Sequence, residues 1–83
     1  MYVLAFANKG GFIMPIVLAP LNVELRVVKI LTDEKTKQHL ENLGITINGT
    51  IVVLSSTNGS TICQVKEGRL ALDSSISRKI LVA

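Results

Sequence analysis

Eighty-three residues leave room for one domain, because a chain this short cannot support two separate hydrophobic cores. With 48% apolar and 18% charged residues the composition excludes a disordered chain, and the single cysteine excludes an internal disulfide or a cysteine-rich metal site. A net charge of +3 is spread over nine scattered basic residues, which is weak support for nucleic-acid binding.

Residues 1–13 show neither helical nor strand periodicity across Asn8-Lys9-Gly10-Gly11. Lys9 follows the apolar run instead of preceding it, which disfavours a secretory signal, and no stretch approaches the roughly 20 apolar residues of a membrane span. Codons for Lys9-Gly10-Gly11 can read AAGGAGG about six nucleotides before the Met14 codon, where a bacterial ribosome-binding site would sit. Met14 is therefore the expected natural start and 1–13 a translated leader; an intact mass that retains Met1 in the native protein would refute this. All three aromatic residues, Tyr2, Phe6 and Phe12, fall in the first dozen positions. The rest of the chain thus lacks the rings needed for base stacking or for proline-rich ligands.

Ile16 to Leu18 is a short apolar run closed by Ala19-Pro20-Leu21-Asn22, a turn in which Asn22 tolerates a left-handed backbone. Glu24 to Leu31 is a β-branched strand whose alternation holds for Leu25 and Val27 and then slips to Val28 and Ile30, as at a bulge or in the coiling of a small barrel. A helix follows, capped by Thr32 or Asp33, with Thr36, Leu40 and Leu43 on one face. Gly44 fits the left-handed position after its end, and Ile45 is placed to touch Leu40, as in a Schellman ending.

Asn48-Gly49 marks a tight turn into the strand Thr50 to Ser55, and Ser56-Thr57-Asn58-Gly59 a hairpin into Ser60 to Lys66, where Thr61, Cys63 and Val65 share one face. Glu67-Gly68 turns the chain into Arg69 to Leu72. Asp73 or Ser74 can cap a single helical turn, and Ile80 to Val82 closes the chain as a strand. Short strands at this spacing predict a closed or nearly closed small barrel, because closure covers edges that so small a sheet would expose.

The chemistry-bearing residues are sparse. His39 is the one histidine and reads as a surface or boundary residue, since a stable metal site needs three or four fixed ligands. Cys63, flanked on its face by Thr61 and Val65, reads as a buried thiol. There is no GxxxxGK[ST], GxGxxG or GxSxG motif, and the serines and carboxylates sit at turns and caps. No catalytic residue, no cofactor site and no metal site is expected, and enzymatic function is disfavoured.

The run LENLGITINGTIVVLS, a glycine hairpin and GRLALDSSISRKILV together resemble the ferrous iron transport protein A family (FeoA) from Met14 to Ala83. The family's Leu-Gly-apolar signature is matched by Leu43, Gly44 and Ile45, its later Gly-Arg and Ala-Leu by Gly68, Arg69, Ala71 and Leu72, and its final Ile-x-Val by Ile80 and Val82. A Pro-Gly turn of the family is replaced by Ile47 and Asn48, another by Asn22, and Ser77 stands at a usual alanine position, where it is expected to weaken packing slightly.

The resemblance implies a mainly β fold in residues 14–83. It is a small SH3-like barrel of about five short strands, with one helix between the first and second core strands and a short helical turn before the last strand. It further implies a cytoplasmic accessory protein of ferrous iron uptake that docks on the membrane GTPase transporter FeoB. The residues at the helix exit, Leu40, Leu43, Gly44 and Ile45, are the candidate partner-binding surface, with core packing expected for at least two of them. Two other readings stay open: an RNA- or ribosome-associated barrel using Arg26, Lys29, Lys66 and Arg69, and a transition-metal-binding chaperone or regulator. A domain this small buries only roughly 60% of its unfolded surface, so a homo-oligomer is a further expectation.

Overall fold

The computed structural model describes residues 12–66 and 68–83. The expected leader lies outside them except for Phe12 and Ile13, both exposed, and so does Glu67 of the Glu67-Gly68 turn. Six strands form one antiparallel sheet: β1 (Met14–Pro15), β2 (Glu24–Ile30), β3 (Thr50–Thr57), β4 (Ser60–Val65), β5 (Gly68–Leu72) and β6 (Ile80–Val82), in the order β1-β6-β2-β3-β4-β5. The helices are α1 (Glu34–Asn42) and the single turn α2 (Ser74–Ser77). The fold is mainly β, a small SH3-like barrel with α1 between β2 and β3. The sixth strand, beyond the five expected, is the two-residue β1. The apolar run Ile16–Leu18 is a 3-10 helix whose Ile16 is fully buried.

β2 is the strand that bends the sheet. Its first half, Glu24 to Arg26, pairs with Val52 to Thr50 of β3, and its second half, Val27 to Ile30, pairs with Val82 to Ile80 of β6. The register shifts between Val27 and Lys29. This is the slip visible in the sequence: Leu25, Val27 and Ile30 are buried, and the extra residue Val28 lets the apolar face continue around the corner. A second irregularity, between Val53 and Ser55 of β3, was not legible because Val52, Val53 and Leu54 form a continuous apolar run with no alternation to break. Leu25, Val27, Ile51, Val53, Cys63, Val65, Ile80 and Val82 line the interior, and Ile16, Leu40 and Ile45 close it.

α1 begins and ends as its residues dictate. Asp33 is the cap, its carboxylate accepting from the Thr36 N–H at 3.3 Å. At the other end Gly44 has φ 104, the Gly44 N–H donates to Glu41 O at 3.0 Å and the Ile45 N–H to Leu40 O at 2.9 Å, the two bonds of a Schellman ending. Asn22, Asn48 and Asn58 all take positive φ, as the turn chemistry requires. Asn58 and Gly59 form a two-residue hairpin between the paired Thr57 and Ser60. A Cβ at Gly59 would lie 2.8 Å from Ser74 Cβ, so the hairpin tip packs on α2 only because that position is glycine.

Ser77 does not weaken the packing unpaired. It is fully buried, its hydroxyl 2.9 Å from Thr61 Oγ1 and donating to Leu72 O at 3.3 Å. With that proton committed to Leu72, Thr61 is the donor to Ser77 and accepts from the Cys63 thiol at 3.6 Å. A directional row of hydroxyls thus ties α2 to β4 inside the core.

Candidate functional site

The helix exit delivers α1 into an open groove of about 640 Å³. Glu41 and Gly44 reach it from the end of α1, Thr46 and Gly49 from the following turn, Glu24 from β2, Thr50 and Val52 from β3, and Gln64, Val65 and Lys66 from β4 and its end. The turn that shapes one wall is fixed by backbone. The Asn48 N–H donates to Val27 O at 2.7 Å, the Val27 N–H to Gly49 O at 2.9 Å, and the Gly49 N–H to Thr46 O at 2.9 Å. A Cβ on Gly49 would sit 2.6 Å from Thr46 Oγ1, which explains the glycine of the Asn-Gly turn.

The four predicted contact residues divide. Leu40 and Ile45, 3% and 0% exposed, are core and cannot touch a partner. Their burial follows from the Schellman ending, which presses the residue after the glycine back onto the last helical turn. Leu43 and Gly44 are half-buried, and of the four only Gly44 lines the groove. The groove's other walls, Glu24, Val52, Gln64 and Lys66, went unread because they come from strands brought together only by the fold; the alternation that leaves Glu24, Gln64 and Lys66 exposed was the available signal.

The groove offers two carboxylates, one ammonium, hydroxyls and an amide around an apolar floor of Val52 and Val65, a composition suited to binding another molecule. Chemical groups lie elsewhere. His39 is exposed on α1. Burial pushes the Cys63 thiol up, against a smaller opposite effect of the Thr61 hydroxyl, so it stays protonated and enclosed. Hydrogen bonds from Thr36 hold Asp33 below its ordinary range, and the Ile76 N–H with the Ser75 hydroxyl does the same for Asp73; both are helix caps. Among the described residues no three His, Cys, Asp or Glu side chains are grouped to hold a metal ion. The four cations Arg26, Lys29, Lys66 and Arg69 are all exposed but split, two on β2 and two around the β4–β5 connection, with β3 between.

Fold and groove define a small SH3-like binding barrel. The chain belongs to the FeoA domain family, which matches residues 14–83. Among solved structures it is similar to one described as an iron uptake regulatory protein (FeoA), at 26% identity over 86% of this chain and 96% of that one, with a TM-score of 0.76. It is also similar to a FeoA-like protein from Clostridium acetobutylicum, at 16% identity over 86% of this chain and 85% of that one and a TM-score of 0.70, a likeness of fold alone. No curated protein matches the chain.

Proposed function

We propose that the chain is an accessory or regulatory protein of ferrous iron uptake that acts by docking on a FeoB-type membrane GTPase transporter. Family membership supports the pathway, as does the likeness to a protein described as an iron uptake regulator. The observation that carries docking is the open groove at the helix exit, with its apolar floor and its charged and amide rim. Contact through Glu41, Gly44, Val52, Gln64 and Lys66 replaces the helix-exit leucine surface expected from sequence. On this reading the barrel is cytoplasmic, facing the transporter's GTPase part, and carries out no chemistry of its own. No helix among the described residues is long and apolar enough to cross a membrane.

Docking changes transporter output only if the barrel binds two transporter states with different affinity, since equal affinity shifts no population. The direct test is affinity purification of the tagged chain from membranes with and without the transporter. Recovery of the GTPase with the chain is expected. Equal membrane recovery in the absence of the transporter, with no GTPase captured in its presence, would reject the reading.

A further inference from the structure

Met14 to Val23 contains no charged residue, yet it holds the most exposed large apolar side chain among the described residues, Leu18 at 71%, and a second, Leu21, at 47%. These side chains do not hang from a loose loop. Ile16, two residues before Leu18, is fully buried in the core; the Ala19 N–H donates to Ile16 O at 3.1 Å; and the Asn22 N–H reaches across to Val53 O at 2.8 Å. The segment is therefore a convex apolar projection anchored at both ends.

Helix α2 packs on the 3-10 helix that bears Leu18, and the two residues after α2 are the exposed cations Arg78 and Lys79. The carboxylates on these elements are already engaged: Asp73 accepts the Ile76 N–H at the start of α2, and Asp33, which feels Lys79, caps α1. Leucines that project without a groove around them, beside a basic pair, match the chemistry of an anionic lipid interface, where apolar side chains insert shallowly and cations meet headgroups. A convex shape needs no complementary pocket in a bilayer.

We propose that the Ile16–Asn22 segment, with Arg78 and Lys79 beside it, is a peripheral contact with an anionic membrane surface. The contact is weak, because two leucines and two cations fall well short of a stable anchor, and its effect is to raise the local concentration of the barrel at the membrane. It does not depend on the transporter reading, and it is read without any transporter.

The test is co-sedimentation of the full chain, at low salt, with vesicles of phosphatidylcholine alone and of phosphatidylcholine mixed with phosphatidylglycerol. Binding to the mixed vesicles is expected to exceed binding to phosphatidylcholine by about tenfold or more, one power of ten for each cation brought near the surface being the upper scale. Leu18→Gln with Leu21→Gln should lower partitioning by about tenfold or more with an unchanged melting curve, since both side chains are exposed. Arg78→Gln with Lys79→Gln should erase the preference for anionic vesicles. Absence of the wild-type chain from the anionic vesicle pellet, or equal sedimentation of the leucine variant, overturns the proposal. Binding only to vesicles that carry the transporter would mean that the projection meets protein and not lipid, and would also overturn it.

Discussion

Thr61 and Ser77 are sixteen residues apart in sequence, 1% and 0% exposed, and joined by one hydrogen bond of 2.9 Å. Their energetic coupling can be worked out from the partners each would leave behind. Ser77→Ala removes the acceptor of a buried Thr61 hydroxyl and the donor to Leu72 O, stranding a polar group at a cost of about 2 kcal/mol. Thr61→Val keeps the shape and leaves Ser77 still donating to Leu72, so about 1 kcal/mol is expected. The double variant removes both hydroxyls and strands neither; its cost should be close to about 1 kcal/mol and not the sum, a coupling of about 2 kcal/mol. Urea unfolding with a constant slope measures all four corners, and each kcal/mol should also appear as a shift of about 4–8 °C in Tm. Additive losses, equal to the sum within about 0.5 kcal/mol, would refute the directional hydroxyl row.

Further outcomes follow from the same geometry. Leu40→Ala should destabilise by about 2–5 kcal/mol, while Leu43→Ala, half-buried, should cost about 1 kcal/mol; equal losses in thermal melts would contradict the division of the helix exit. Asp33 and Asp73 are held below the ordinary value of 3.8, so the unfolded chain takes up protons first as pH falls. Their contribution is present above 3.8 and drains away as pH drops through that value toward the folded ones. Asp33→Asn with Asp73→Asn, which keeps the caps but removes the titration, should flatten the acid limb of the urea midpoint against pH. Cys63 should resist a thiol reagent in the native protein and react on unfolding; prompt native labelling would contradict its enclosure.

Much of the fold was legible because its signals are local. Gly44 followed by an apolar residue announced the helix exit, Asn58-Gly59 announced the hairpin, and the broken alternation at Val27-Val28 announced the bend in β2. Where the determinant is distant in sequence, the reading fell short. The partner that satisfies Ser77 is Thr61 on another strand, and the groove is assembled from α1, its following turn, β2, β3 and β4. The helix exit was rightly singled out, but its leucine and isoleucine are spent on the core. The surface it offers is the glycine backbone and Glu41, beside strand residues that no local pattern links to them. The run Ile16–Leu18 is too short to carry a period, so its 3-10 conformation was invisible until Ile16 was seen buried.

The account turns on the groove at the helix exit as the surface offered to a membrane GTPase. Binding of the purified chain to that transporter in lipid nanodiscs tests it, with wild type compared against Glu41→Arg and Gln64→Arg together, two exposed side chains that line the groove. The prediction is a Kd raised by about tenfold or more with an unchanged Tm, because reversed charge in a docked groove repels what the carboxylate had accommodated. Undiminished affinity of this variant, with its fold intact, would contradict the account.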